Sequence, residues 1–95
     1  MFLILLRFSD NKASATDHMS GHKEWIRQGV DVGTFVLVGS IRPGVGGAVI
    51  ATGTERHLIE QRVAEDPFVI HNVVVAEILD IEPSVTDARL AFLAG

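Results

Sequence analysis

Cysteine is absent from this 95-residue chain, which excludes disulfides, thiolate metal sites and a cysteine nucleophile. A reducing cytoplasm is the expected compartment. Cationic residues are scarce as well. Eight Lys and Arg against twelve Asp and Glu leave a net charge of −4, and the cations are scattered. A nucleic-acid partner needs a basic stripe that displaces phosphate counterions. An anionic membrane surface needs much the same, so neither partner is expected. Long apolar runs are missing too: no stretch reaches the ~20 residues of a membrane-spanning helix. Residues 1–6 are apolar, but no basic segment precedes them and Arg7 interrupts them, so they do not read as a secretory signal.

What the chain has instead is hydrophobicity. Apolar residues make up 47% of it, and the mean hydropathy is +0.32. The length suits one domain, and a domain this small hides only a modest fraction of its surface. The apolar excess therefore calls for a cover, either a partner or a ligand pocket.

Residues 2–8 are apolar at nearly every position and read as a first strand. After a polar connection at 9–16, a helix is predicted to begin near Asp17 or Ser20, either of which can cap free amides. It runs through Trp25 and Ile26 and ends between Gly29 and Gly33, where Gly33 suits a left-handed position. Residues 34–41 are β-branched and aromatic, a second strand. The Arg42-Pro43-Gly44-Val45-Gly46-Gly47 loop then folds a third strand, 48–52, back as a hairpin. Thr54 is placed to cap a second helix over 55–63. Pro67 stops that helix, because the residue before a proline is pushed out of the helical region. Residues 73–81 form the fourth strand. The order βαββαβ predicts an α+β, ferredoxin-like domain over residues 1–82, a four-stranded antiparallel sheet with two helices on one face. Residues 83–95 follow as a tail. Within it, 84–93 either form a short capped helix lying on a partner subunit or have no fixed structure.

A sheet covered on one face only should alternate apolar and polar residues along each strand. The fourth strand instead sets Val73, Val75 and Leu79 on one side and Val74, Ala76 and Ile78 on the other. The first sets Phe2, Ile4, Leu6 and Phe8 against Leu3 and Leu5. Two helices cover one face. A second copy of the sheet would cover the other, so a homodimer is expected.

Two polar residues fall on inward stripes. His22, Ile26 and Gly29 recur at i, i+4, i+7 on the first helix; Ile59, Val63 and Asp66 repeat that spacing on the second. A buried carboxylate is costly unless paired, and an imidazole is the obvious partner. Such a pair would fix the His tautomer and leave the other ring nitrogen to exchange a proton near neutral pH. The plainer alternatives are a core histidine bonded to backbone and an Asp that ends a helix before proline. His18 and His22 also stand at i, i+4, a spacing that holds zinc when further ligands exist. Nothing in the spacing of His57 and His71 brings them close, so no metal is expected. Gly44-Val45-Gly46-Gly47 leads into a strand rather than a helix, which excludes a phosphate-binding loop. Ser40 has no nucleophile-elbow context, and no cofactor is expected.

The order of landmarks resembles the YCII-related family. The match rests on His22 and Trp25 in the first helix, Gly33 before the second strand and Gly39 ending it. Its most specific part is the string Ala64-Glu65-Asp66-Pro67-Phe68-Val69 before the fourth strand. The resemblance implies a dimeric α/β barrel with a cleft in each subunit. It implies His22 and Asp66 as the catalytic pair, and Trp25, Gly39, Ser40 and Phe68 around a small-molecule substrate. Met19 stands where the family often has Arg, Ser40 where it often has Pro, and residues 83–95 have no counterpart in the pattern. The function so implied is cofactor-free acid–base chemistry, such as elimination, isomerisation or dehydrohalogenation, on a small and largely apolar molecule. A non-catalytic ligand-binding or accessory module of the same fold is the alternative. A cofactor-free monooxygenase or haem-handling relative is a further one.

Overall fold

The computed structural model describes residues 1–94. Strand β1 (Phe2–Phe8) is followed by helix α1 (Ala15–Asp31), strands β2 (Phe35–Ile41) and β3 (Gly46–Ala51), helices α2 (Arg56–Ala64) and α3 (Pro67–Ile70), and strand β4 (Val74–Asp80). Single 3₁₀ segments precede α1, at Lys12–Ser14, and close the chain, at Ala88–Ala94. The strands lie in the order β2-β3-β1-β4, antiparallel throughout. This is the ferredoxin-like α+β fold. No helix is long and apolar enough to cross a membrane.

Register follows from the side-chain pattern of β1. Ile4 stands opposite Val49 and Ile78, and Leu6 opposite Gly47 and Ala76. Phe2, Ile4 and Leu6 thus point toward the helices and join Trp25, Phe35, Ile59, Val63, Phe68 and Val74 in one buried cluster. Slipping β1 by one residue would turn all three outward.

Helix boundaries moved from their expected places for local reasons. The 3₁₀ turn feeds α1 two residues before Asp17, so neither Asp17 nor Ser20 caps it. Asp17 lies in its first turn, where a carboxylate suits the partial positive charge of the amide end. Helix α2 has Glu55 rather than Thr54 at its N-cap position. Strand β3 begins at Gly46, two residues early, because Gly46 and Gly47 already pair with Arg7 and Leu6. Pro67 both follows the end of α2 and opens α3. Its fixed φ and missing N–H suit a first helical position, and Asp66 caps the new helix.

One close approach needs glycine. Gly29 presses α1 onto Phe35 so tightly that a Cβ there would overlap the phenyl ring.

The face of the sheet away from the helices carries Leu3, Leu5, Leu37, Ile50, Val75 and Leu79, crossed by an Arg7–Glu77 ion pair at 2.9 Å. Val75 is 65% exposed and Leu37 54%. A compact 10.3 kDa monomer exposes about 5,400 Å² by mass scaling, whereas this chain exposes 5991 Å². In the tail, the Asp87 carboxylate accepts from the Arg89 amide at 2.9 Å. Leu93 is buried there against the chain itself.

Replacing Gly29 with alanine sets two effects against each other. Alanine gains about 1 kcal/mol of helix propensity, while overpacking a buried ring costs about 1–3 kcal/mol. Because the overlap is with a 2%-exposed phenyl, the clash should win. Urea unfolding should show Gly29→Ala destabilised by about 1–2 kcal/mol, with Phe35→Leu in the same chain relieving part of the loss. A more stable Gly29→Ala would contradict the packing described.

Candidate active site

The inward stripe of α1 runs through Met19, His22, Trp25, Ile26 and Gly29. His22 meets Asp66, which lies between α2 and α3. The i, i+4, i+7 spacing from Ile59 gives the right direction for a different cause. Helix α2 ends at Ala64, and Asp66 has extended backbone, with φ −64° and ψ 122°. Its carboxylate turns inward because it caps α3.

His22 Nδ1 and Asp66 Oδ1 are 2.8 Å apart, and the Phe68 amide donates to the same Oδ1 at 3.0 Å. Asp66 has no exposed surface. Its Oδ2 is buried and receives no hydrogen bond from any described residue. An ionised carboxylate can only accept, so in that state the shared proton sits on Nδ1, and a neutral ring then has a bare Nε2. The ring is held flat against Phe68, with centroids 3.9 Å apart and planes 3° apart. One face of the imidazole and one of its nitrogens are therefore committed. The remaining nitrogen belongs to a side chain that lines a cleft.

That cleft, about 370 Å³, lies between α1 and the sheet. Met19, His22, Lys23, Ile26 and Phe68 cover it, over a floor that includes Leu6, Phe8, Val49 and Val74. Gly39 and Ser40 flank it with Gly46 and Gly47 across the β2–β3 pair. A Cβ at Gly46 would run into the Leu6 carbonyl, so the backbone there stays bare.

Of the residues expected around a substrate, Gly39, Ser40 and Phe68 line this cleft beside His22, and Trp25 does not. The Trp25 indole N–H donates to the Arg62 carbonyl at 2.8 Å, and its ring meets Phe35 edge-on at 5.0 Å. Trp25 ties α1 to α2 inside the core. Sequence reasoning passed over Lys23 and the glycine pair. Lys23 directly follows His22, which was the available signal; Gly46 and Gly47 read as turn residues only. His18 and His71 stack face to face at 3.8 Å, and His57 lies 3.4 Å from Glu55 on the surface. Among the described residues, no three His, Asp or Glu side chains converge as metal ligands would.

No family model matches the chain, and no curated protein is significantly similar to it in sequence. Solved structures do match. One is a 5-chloro-2-hydroxyhydroquinone dehydrochlorinase from Burkholderia phenoliruptrix, in complex with 2,5-dihydroxybenzoquinone. It superposes with a TM-score of 0.70 over 88% of this chain and 96% of its own, at 11% identity. At that identity the likeness establishes a shared fold.

The two bonds to Asp66 Oδ1 predict how its variants separate. Asp66→Asn keeps an oxygen that accepts from both Phe68 and His22. Asp66→Ala removes the cap and leaves the His22 Nδ1–H unanswered, a further loss of about 2 kcal/mol. Urea midpoints should rank wild type and Asn close together with Ala well below. Equal losses for both variants would mean that neither hydrogen bond contributes.

Proposed function

We propose that this chain is a YCII-related, cytoplasmic homodimeric enzyme that carries out cofactor-free proton transfer on a small, largely apolar organic molecule. Elimination, isomerisation and dehydrohalogenation are the reactions that suit it. The observation that carries this reading is the 2.8 Å His22–Asp66 contact at the edge of an apolar cleft. In it, His22 Nε2 takes a proton from the substrate, and the new imidazolium is stabilised by the buried Asp66 carboxylate. In an elimination the electron pair of the broken C–H bond forms the double bond, and the leaving group departs with its own pair. In an isomerisation His22 returns the proton at another atom. Phe68 holds the imidazole plane, while Gly39 and Ser40 bound the substrate. The shared fold with a dehydrochlorinase supports this class of chemistry.

The dimer belongs to the same reading. Leu3, Leu5, Leu37, Ile50, Val75 and Leu79 form an apolar face that α1 and α2 leave uncovered, and a second sheet packed on it would complete a barrel. Sedimentation at micromolar concentration should give twice the chain mass, and Val75→Glu should shift the protein toward monomer. A folded wild-type monomer would remove the barrel from the account.

A binding module without turnover is the second reading. The Phe68–Asp66 cap bond favours it, since a capping carboxylate needs no catalytic role. Chloride release from 5-chloro-2-hydroxyhydroquinone and related chlorinated phenols separates the two. Catalysis predicts release by wild type, none above background by His22→Ala, and a loss of roughly 100-fold or more for Asp66→Asn. Turnover indifferent to both substitutions would refute the dyad; binding without turnover of any halogenated or carbon-acid substrate would favour the module.

A further inference from the structure

We infer that the cleft takes an organic anion, with the apolar body inside and the ionised oxygen group held at the mouth by Lys23. This deepens the proton-transfer reading and rests on it for the identity of the site.

The charge around the cleft runs against that of the protein. The chain carries a net −4, yet no carboxylate lines the cavity. Of its lining side chains, Lys23 carries a positive charge and Ser40 can donate, while the Nδ1–H of His22 is already given to Asp66. Asp66 lies behind His22, fully buried. Elsewhere, four of the six arginines are matched to carboxylates, Arg7 to Glu77, Arg27 to Glu24 and Asp31, Arg56 to Glu60, and Arg89 to Asp87, while Arg42 and Arg62, neither of which lines the cleft, are not. Lys23 forms no such pair among the described residues, although Glu24 follows it. An unpaired ammonium beside the His22 imidazole, on the exposed flank of α1, is placed to meet charge from a ligand.

A second lysine points the same way. The Lys12 ammonium stands 4.8 Å from the centre of the Phe8 ring and donates to the Gly44 carbonyl at 3.3 Å, and Phe8 lines the cleft. Lys12 also lacks a carboxylate partner among the described residues. It lends the rim a positive potential that draws anions in against the overall charge. Inside, Leu6, Phe8, Val49 and Phe68 offer nothing to a charged group, so the anion has to stay at the mouth. There it serves the chemistry. When His22 removes a proton, negative charge grows on the substrate, and a nearby ammonium favours that growth.

The single tryptophan reports on the site, since the Trp25 ring lies 5.9 Å from that of His22. Titrating Trp25 fluorescence with benzoate and with benzamide compares an anion with a neutral molecule of nearly the same shape. At low salt, wild type should bind benzoate about 2- to 5-fold tighter, the range of one exposed charge contact. Lys23→Gln should bring the ratio close to one, Lys23→Arg should retain it, and Arg89→Gln, which removes the same charge far from the cleft, should leave it intact. Equal binding of the two probes, no benzoate binding up to its solubility limit, or a preference that survives Lys23→Gln overturns the inference. The outcomes are separable from those of the dyad. A Lys23-dependent preference without turnover leaves the anion site standing and removes the catalysis; turnover without the preference does the reverse.

Discussion

Asp66 is a carboxylate with no exposed surface, and its two oxygens are treated unequally. Oδ1 accepts from the Phe68 amide and from His22, while Oδ2 is buried with no donor from the described chain. Burying such a group is tolerable only if its neighbours answer the charge. The rest of the site can be read as those answers. The cap bond starts α3, which brings the Phe68 ring against His22. The bond to Nδ1 assigns the imidazole its tautomer. The unanswered oxygen leaves the carboxylate able to gain from a positive neighbour, and an imidazolium is the one within reach.

The sheet makes this arrangement possible by presenting two unlike faces. Under the helices, bulky residues on β1 and β4 build the core, and the glycines of β3 thin it out toward one end. There Gly47 lies across from Leu6 and Ser40 on the helix side of the sheet, with no side chain to fill the space below α1. The cleft therefore exists because of what the hairpin lacks. The opposite face is apolar without that purpose, with Val75 and Leu37 each more than half exposed.

The strand order was legible because the apolar and β-branched runs are separated by polar, glycine-rich or proline-marked segments. The two-sided apolarity of β1 and β4 was legible for the same reason. The placement of the site was legible only in part. His22 is reached by honest helical periodicity along α1. Asp66 is reached by a periodicity that α2 does not sustain, and the agreement came from the capping geometry of Asp-Pro, which also opens a helix. Trp25 shares the His22 stripe, and nothing in spacing distinguishes a residue at the cleft from one a turn deeper in the core. Its indole bond to Arg62 is long-range and invisible to local pattern. Lys23 was passed over for the opposite reason: a lone lysine on a helix is ordinarily solvated, and its lack of a carboxylate partner appears only in three dimensions.

The account stands on the tautomer of one ring. Long-range ¹⁵N–¹H correlation spectra of the imidazole side chains, assigned with His22→Ala, read it directly. At a pH where His22 is neutral, the account predicts a protonated Nδ1 and a bare Nε2, with the Nδ1–H preference weakened in Asp66→Ala. A neutral His22 carrying its proton on Nε2, or a tautomer indifferent to the loss of Asp66, would contradict it.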